Sequence, residues 1–310
     1  SLREALNYAH ELAENTPGIY TITFDDTLFE NGNTITIQMK DIYEAFELGA
    51  VLAGSSLIVD GGEGRNVIVK VPITYAESLE LGLDASTYRV FQTTDNTISW
   101  NVSFKNLTIQ GGEVNGSGGT VFIQGVNSNV SLENITISDS HATGQGGGIY
   151  IQGLNPNVSL ENVTISGSYA TGQGGGIYIA SQNEGNVQTT LTIANSIIEN
   201  NTSVGNGGGL YISTKNTIAA GTTTTQTILT ITDSVFQNNT SQGKGGGLYV
   251  ETVGRTANNN VFIDKSSFIS NTAYQGGGIY ALTHSPSNRS SQIVTIENST
   301  FTQNIATHSG

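Results

Sequence analysis

Carboxylates are the side chains of this chain that bear most directly on chemistry. Glycoside hydrolases cleave glycosidic bonds with two carboxylates held about 5 to 10 Å apart. Several carboxylates together can bind a calcium ion. Four acidic residues share one position of a repeat described below: Glu133, Glu161, Asp264 and Glu297. Lys105 heads this column, and Ala194 and Thr232 interrupt it. The backbones of Glu133 and Glu161 are expected about 5 Å apart, so the pair either attracts a cation or stands as two solvated corner carboxylates.

A second acidic group lies earlier in the chain. Asp60, Glu63 and Arg65 occur together in the run Asp-Gly-Gly-Glu-Gly-Arg, and Asp25-Asp26 stands elsewhere. A polysaccharide lyase needs a basic residue near its carboxylates to take a proton. Charged residues are common in a glycine-rich turn of this kind, and their presence here needs no catalytic role. No catalytic residue is therefore predicted.

Other catalytic and metal-binding patterns are missing from the sequence. The chain has no Cys, which excludes disulfides, thiolate zinc sites and cysteine nucleophiles. The histidines, at positions 10, 141, 284 and 308, have no paired metal-ligand spacing. The Gly144-x-Gly146 run lacks the Lys-Ser/Thr of a phosphate-binding loop. We therefore predict no metal site and no cofactor.

Composition narrows the class of protein further. The 310 residues include 39 Gly and only 4 Pro, and 11 Lys+Arg against 25 Asp+Glu give a net charge of −14. Glycine without a collagen period indicates a β-rich, turn-rich protein. A protein with this net negative charge repels the phosphate backbone of a nucleic acid, so no nucleic-acid partner is predicted. No apolar run reaches the 18 or so residues that span a bilayer, so no direct membrane insertion is predicted either.

Internal repetition decides the architecture. Three glycines followed by Ile or Leu and then Tyr begin at residues 146, 174, 207, 245 and 276, with a degenerate copy at 118–122. Successive copies start 28 residues apart (146 to 174) to 38 residues apart (207 to 245). In the first complete repeat, alternation predicts short strands at Val130–Leu132, Ile135–Ile137 and Ile149–Ile151. Three such strands cannot close a core alone, so repeats must stack in parallel into a β-helix.

Two columns of corner residues support this stacking. Asn tolerates the left-handed conformation and pairs with its neighbour one repeat above. The first column contains Asn134, Asn162, Asn195, Asp233 and Asn298 and is interrupted by Lys265; the second contains Ser140, Ser168, Asn201, Asn239, Asn271 and Asn304. A sandwich of antiparallel strands would not keep one residue type in register over six repeats.

An aromatic column is the strongest candidate binding site. If Ile149 and Ile151 point inward, alternation sends Tyr150 outward. Stacking then predicts one exposed ladder, about 4.8 Å per step, made of Phe122, Tyr150, Tyr178, Tyr211, Tyr249 and Tyr280. Such a ladder suits sugar rings or protein partners. Alternatively, neighbouring rings simply stack on one another and protect the strands.

Differences in repeat length fall at one corner, between the Tyr-bearing strand and the next repeat. The connection is short at residues 152–156, longer at 181–188, 251–259 and 282–291, and longest at 213–226. Insertions on one edge of a solenoid often mark its binding face. Alternatively, this corner merely tolerates drift in length.

The ends of the chain differ from its middle. Residues 1–101 are predicted to form a cap and irregular early coils, and 102–310 the regular repeats. Helical periodicity over 1–14 predicts a helix that covers the first coil. Early strands are expected at 21–24, 34–38, 57–59, 67–71, 90–92 and 102–104, with short helices in insertions at 43–52 and 75–81. The final residues align within a glycine run, which indicates a truncated repeat.

These motifs resemble known surface proteins. The Gly-Gly-Gly-Ile/Leu-Tyr and Phe-x-x-Asn repeats over residues 102–310 resemble the polymorphic outer membrane proteins of chlamydiae, although a third Gly replaces their Ala. Ser1-Leu2-Arg3-Glu4-Ala5 is similar to the start of surface β-helix proteins named after a Cys-Ser-Leu-Arg-Glu-Ala motif. The resemblance implies a right-handed parallel β-helix with an N-terminal capping helix, exported, displayed on a cell surface or outer membrane, and often adhesive.

We therefore expect a non-catalytic adhesin or autotransporter passenger that binds a protein or glycan ligand on another cell. One alternative is a carbohydrate-active enzyme, either a polysaccharide lyase or a glycoside hydrolase, since both use this scaffold. Another is a purely structural stalk. Repeats of this kind specify the fold well and the function poorly.

Overall fold

A computed structural model describes residues 2–16, 18–25, 34–38, 46–48, 55–70, 89–93, 95–217, 223–286 and 289–308. Its elements are one helix and short parallel strands that repeat with the coil period. In chain order they are α1 (Leu2–Asn15), β1 (Ile19–Thr23), β2 (Thr34–Gln38), β3 (Phe46–Leu48), β4 (Ser56–Asp60), β5 (Asn66–Lys70), β6 (Phe91–Thr93), β7 (Asn101–Gln110), β8 (Glu113–Val114), β9 (Val121–Val126), β10 (Asn129–Ser138), β11 (His141–Ala142), β12 (Ile149–Leu154), β13 (Asn157–Ser166), β14 (Tyr169–Ala170), β15 (Ile177–Asn183), β16 (Val187–Ala194), β17 (Ile197–Glu199), β18 (Thr202–Ser203), β19 (Leu210–Asn216), β20 (Thr224–Thr232), β21 (Val235–Gln237), β22 (Thr240–Ser241), β23 (Leu248–Val253), β24 (Thr256–Asp264), β25 (Ser267–Ile269), β26 (Thr272–Ala273), β27 (Ile279–His284), β28 (Arg289–Glu297), β29 (Thr300–Thr302) and β30 (Ile305–Ala306).

These strands form three parallel sheets around a shared core. The wide sheet runs along β1-β4-β7-β10-β13-β16-β20-β24-β28, the corner sheet joins β8 to β30, and the tyrosine sheet joins β3 to β27. Equivalent residues pair from coil to coil, for example Ile149 with Ile177 and Ile177 with Leu210. The fold is a right-handed parallel β-helix, as predicted.

The buried apolar side chains form one column inside the coils. It runs from Leu2 in α1 to Phe268 in β25, and inward residues such as Leu132 and Ile137 are fully buried. Helix α1 buries Leu6 and packs against β1 and β3, so it covers the first coil as expected. The division of the chain into residues 1–101 and 102–310 stays a prediction.

The strand boundaries differ from the prediction in two ways. The first two predicted strands of each early repeat form one continuous strand. In β10, for example, the strand continues through the corner at Asn134, where φ is 55°. The corner sheet was not predicted, since its two-residue strands are too short to show alternation. The residue Lys265 does not break the first corner column, because its φ of 47° matches that of the asparagines.

The early coils were predicted less accurately. Strands occur close to the expected positions, although β1 begins at Ile19 and β7 extends to Gln110. In the predicted helical insertion at 43–52, residues 46–48 form strand β3 instead, and the rest lies outside the described residues. The predicted insertion at 75–81 also lies outside them.

The second corner column forms a buried amide ladder. Asn201, Asn239 and Asn271 are completely buried. The backbone N–H and Nδ2 of Asn201 both donate to Oδ1 of Asn239 at 3.1 Å, and the same pattern repeats from Asn239 to Asn271 at 3.0 Å. Each Nδ2 also donates to a backbone carbonyl, for example that of Ile198 at 2.8 Å. The ladder satisfies polar groups at a corner that lies inside the core, which locks the coils in register.

In the part of the insertions that the structure describes, the chain extends two sheets rather than forming separate loops. We define the flange as residues 181–190, 213–217, 223–227 and 251–259, where the ends of tyrosine-sheet strands lie against the beginnings of wide-sheet strands. Its interior is polar: the hydroxyl of Thr214 bonds those of Thr189 and Thr227 at 2.7 Å each, and Thr227 bonds Thr252 at 2.7 Å. All four threonines are fully buried.

Candidate functional site: the tyrosine ladder

The aromatic ladder lies on the outer face of the tyrosine sheet. Ile149 and Ile151 point into the core and are at most 1% exposed, so Tyr150 between them points outward. The strand register pairs each ring with the next along the ladder: Phe122, Tyr150, Tyr178, Tyr211, Tyr249 and Tyr280. The predicted column is therefore present as one continuous stack.

The rings of the ladder stack face to face. Centroid distances are 5.0 or 5.1 Å from Phe122 to Tyr249, and 5.5 Å between Tyr249 and Tyr280, with interplanar angles of 1 to 5°. The spacing follows that of the strands, about 4.8 Å. A ring in the middle of the ladder therefore has both of its faces covered by other rings.

The prediction that the ladder is exposed was wrong. Tyr150, Tyr211 and Tyr249 are only 5 to 6% exposed, while Phe122, Tyr178 and Tyr280 are half-buried. Alternation along a strand says which face a side chain points to, but not whether its neighbours on that face cover it. Here stacked rings cover the ring faces and polar side chains flank the edges, so a sugar ring cannot stack on the ladder.

Two rows of mostly polar side chains flank the ladder. The first row precedes each glycine run and contains Ser117, Gln145, Gln173, Asn206, Lys244 and Gln275. The second row lies two residues after each aromatic residue and contains Gln124, Gln152, Ala180, Ser213, Glu251 and Leu282. Sequence reasoning missed these rows, although their fixed offset from each Tyr was a usable signal. Together with the phenol edges they form a ridge, which we call the ladder ridge.

Some phenol hydroxyls are used within the ridge. Tyr150 donates to Gln152, Tyr211 donates to Glu251 Oε2 at 3.4 Å, and Tyr280 accepts from Lys244 Nζ at 2.9 Å. The hydroxyls of Tyr178 and Tyr249 have no protein hydrogen-bond partner within the described part of the chain. These two hydroxyls remain available to a ligand.

Charged groups stand at three points of the ridge. The guanidinium of Arg89 lies 4.2 Å from the Phe122 centroid at one end, and Lys244 Nζ lies 4.5 Å from the Tyr280 centroid at the other. Such cations are attracted by the ring face. Between them, Glu251 Oε2 pairs with Lys215 Nζ at 2.8 Å. The ridge is thus largely neutral, with its charges either paired or held on rings.

Burial raises the pKa values of the ladder phenols of Tyr178, Tyr211 and Tyr249. It raises the pKa of Tyr178 to about 12, with smaller contributions from the phenol of Tyr150 and the carboxylate of Glu251. Burial and the Glu251 carboxylate also hold the pKa values of Tyr211 and Tyr249 well above the ordinary range. At neutral pH the phenols of Tyr178, Tyr211 and Tyr249 are therefore protonated and able to donate a hydrogen bond.

Three of the carboxylates weighed as catalytic groups are occupied by structural contacts. Glu133 pairs with Lys105 Nζ at 2.6 Å, and Glu161 accepts from Asn195 Nδ2 at 2.7 Å. Asp60 Oδ1 accepts from the Gly62 amide at 2.8 Å, as its turn context suggested. Within the described residues, no group of three or more His, Asp or Glu side chains is placed to hold a metal ion. In the same part of the chain, no helix is long and apolar enough to cross a membrane.

One family model matches two segments of the chain. Residues 233–251 and 265–282 match the family model of the Chlamydia polymorphic membrane protein repeat. These segments contain two of the repeats, those with Phe236 and Phe268, on which the resemblance to the polymorphic membrane proteins was based, so that resemblance is confirmed. The similarity of residues 1–5 to a second group of surface proteins stays a prediction. Neither the curated proteins nor the solved structures gave a match to the chain. At a coarse level, the matched repeat indicates a surface protein similar to the polymorphic membrane proteins.

Proposed function

We propose that this chain is a non-catalytic adhesin module, displayed on a cell surface, that binds a protein or glycan on another cell through the ladder ridge. The single observation that carries the proposal is the register of the ridge. Aromatic rings repeat at 5.0 to 5.5 Å over five consecutive steps on a rigid sheet. A preorganised surface of this kind loses little conformational entropy on binding.

The contact would be made by edges rather than by ring faces. The hydroxyls of Tyr178 and Tyr249 lack protein partners within the described residues, and burial raises the pKa of both phenols. The second row has its smallest side chain, Ala180, beside Tyr178. Tyr178 is accordingly more exposed than Tyr150 or Tyr211. The part of the ridge around Tyr178 is the most accessible to a ligand.

A structural stalk is a second candidate. The burial of Tyr150, Tyr211 and Tyr249 favours it, because stacked and covered rings stabilise a cylinder whether or not a ligand is present. The two functions differ in one respect. An adhesin needs the free phenol hydroxyls, whereas a stalk needs only the rings.

Variants that lose the phenol hydroxyls but keep the aromatic rings distinguish an adhesin from a stalk. Beads coated with the purified chain would be tested for attachment to cultured epithelial cells, before and after the cells are treated with protease or with glycosidases. The double variant Tyr178→Phe/Tyr249→Phe keeps the stack and should reduce attachment. The matched control is Tyr150→Phe, whose hydroxyl is already bonded to Gln152.

Each outcome has a definite meaning. Loss of attachment in the double variant alone supports an adhesin that binds through the ridge, and the enzyme treatments show whether its ligand is a protein or a glycan. Equal attachment of the double variant and the wild type rules out the ridge as the contact. Absence of attachment by the wild-type chain favours the stalk.

A further inference from the structure

A cleft lies on the wide sheet, away from the ladder ridge on the tyrosine sheet. It lies between the loop of residues 61–65, which follows β4, and the strands β7 and β10. Its volume is about 270 Å³. Side chains from both sides line it: Glu63, Arg65, Asn106, Thr108, Asn134 and Thr136. We call this space the loop cleft.

The loop that forms one wall is held in place by specific bonds. Asp60 Oδ1 accepts from the Gly62 amide at 2.8 Å and from Asn106 Nδ2 at 2.7 Å. Arg65 Nη1 donates to the backbone carbonyl of Phe24 at 3.0 Å. Gly62 has a φ of 88°, a conformation that L side chains rarely adopt. The loop cleft is therefore preformed, as small-molecule sites usually are.

The opposite wall offers hydroxyls that the protein does not use. Thr108 and Thr136 are partners in the strand register and lie side by side on the outer face of the sheet. Both are half-buried, and within the described residues neither hydroxyl has a protein hydrogen-bond partner. A hydroxyl both donates and accepts. Two of them at strand spacing suit a ligand with adjacent hydroxyl groups.

The amides of the corner column contribute acceptors. Asn134 Nδ2 donates to Asn106 Oδ1 at 2.8 Å, and Asn162 Nδ2 donates to Asn134 Oδ1 at 2.8 Å. Each of these carbonyl oxygens has a second lone pair that the ladder bond leaves open. The amides are therefore fixed in orientation while still able to accept from a ligand.

The charge and size of the loop cleft select the class of ligand. One carboxylate, Glu63, is balanced by one guanidinium, Arg65, which suits neither a phosphate nor a divalent cation. Val67 and Leu107 border the cleft but are buried in the core, so the accessible lining is mainly polar. The volume is just below the range of about 300 to 1,000 Å³ for drug-sized ligands, so it fits one sugar ring rather than a chain. We infer that the loop cleft binds a single neutral sugar residue, in which Glu63 accepts from ligand hydroxyls and Thr108 and Thr136 hydrogen-bond to adjacent ones.

The test uses defined sugars and the whole chain. The methyl glycosides of glucose, galactose, mannose and N-acetylglucosamine would be titrated into the protein and followed by saturation-transfer NMR, with methyl glucuronide as a charged comparison. At least one neutral glycoside should bind saturably and more tightly than the glucuronide. Glu63→Gln and the double variant Thr108→Val/Thr136→Val should each weaken it by about tenfold, the loss expected for one or two hydrogen bonds.

Matched controls lie one step outside the loop cleft. Thr164→Val changes the register partner of Thr136 on the next strand, and Glu133→Gln changes a carboxylate of the neighbouring column. Both should leave binding unchanged. The inference is overturned if no neutral glycoside binds, if the glucuronide alone binds, or if Thr164→Val weakens binding as much as the loop-cleft variants. This test does not involve the ladder ridge, so its outcome is independent of the adhesin proposal.

Discussion

The ring of Tyr211 stacks on that of Tyr178 with centroids 5.1 Å apart and planes within 1° of parallel. The two residues are separated by 33 positions in the sequence, because an insertion lengthens the connection between their coils. The stack is nevertheless as regular as that between Tyr150 and Tyr178, which are 28 positions apart. The extra residues lie in the flange. Insertions therefore lengthen the flange and leave the register of the ladder ridge unchanged.

The alkaline stability of the chain should depend on Tyr178. Its pKa is about 12 in the folded chain and near 10 in the unfolded chain. Above pH 10 the unfolded chain loses this proton first, so the free energy of unfolding should fall as pH rises from about 10 to 12. Urea unfolding at pH 8, 10 and 11.5 checks this. Tyr178→Phe should lose less stability over that range, and an identical loss in both proteins would contradict the assignment.

The amide ladder should dominate the stability of its corner. Asn239→Ala removes the acceptor of two bonds from Asn201 and leaves the carbonyl of Ile198 without its donor. The free energy of unfolding should fall by about 3 kcal/mol, the cost of leaving one or two buried polar groups unsatisfied. Urea titration followed by circular dichroism measures the change. The exposed neighbour provides the control: Thr240→Ala should change stability by less than about 0.5 kcal/mol.

The fold of this chain was largely predictable where residue types recur in register. Asn239 and Tyr178 could be placed in columns because each repeat shows the same residue type at the same offset from its glycine run. Lys265 could not, since a long basic side chain gives no local sign of a left-handed corner. The burial of Tyr150 was missed for another reason, because it depends on rings from neighbouring coils.

The loop cleft lay beyond sequence reasoning. Asp60, Glu63 and Arg65 were recognised as a group, but Thr108 and Thr136 come from the stack of coils that faces the loop. Whether these threonines lie near Glu63 and Arg65 depends on the path that the chain takes after β4. The repeat pattern of the sequence does not specify that path.

The glycine runs should tolerate no side chain at their second position. A Cβ on Gly147 would lie 2.3 Å from the carbonyl oxygen of Gly175 and 2.5 Å from that of Tyr169. Because both atoms belong to the backbone, Gly147→Ala should destabilise the chain by about 3 kcal/mol, the upper part of the usual cost of overpacking. Gly185→Ala is the matched control, since its Cβ would meet only Asn183 Nδ2 at 3.5 Å. Thermal unfolding of the two variants should separate them clearly, and equal midpoints would refute the close approach of coils.

The flange should be held together by its buried hydroxyls. Thr214→Val keeps the shape of the side chain but removes the donor to Thr189 Oγ1 and one bond from Thr227. A loss of about 1 to 3 kcal/mol is expected for an unsatisfied buried group. Thr214→Ser retains the hydroxyl and should lose less. If valine proves as stable as serine when unfolded in urea, the hydroxyl chain does not stabilise the flange.

The stacking of coils in a single register supports every proposal above, and paired cysteines test it directly because the native chain has none. Ser159 and Thr192 are register partners on adjacent strands of the wide sheet, whereas Ser131 lies one strand further from Thr192. Adjacent strands are about 4.8 Å apart, within reach of a disulfide. After mild oxidation, mass spectrometry of unreduced peptides should find an intramolecular disulfide in Ser159→Cys/Thr192→Cys and none in Ser131→Cys/Thr192→Cys. A disulfide in the second variant but not in the first would contradict the register on which the ladder ridge depends.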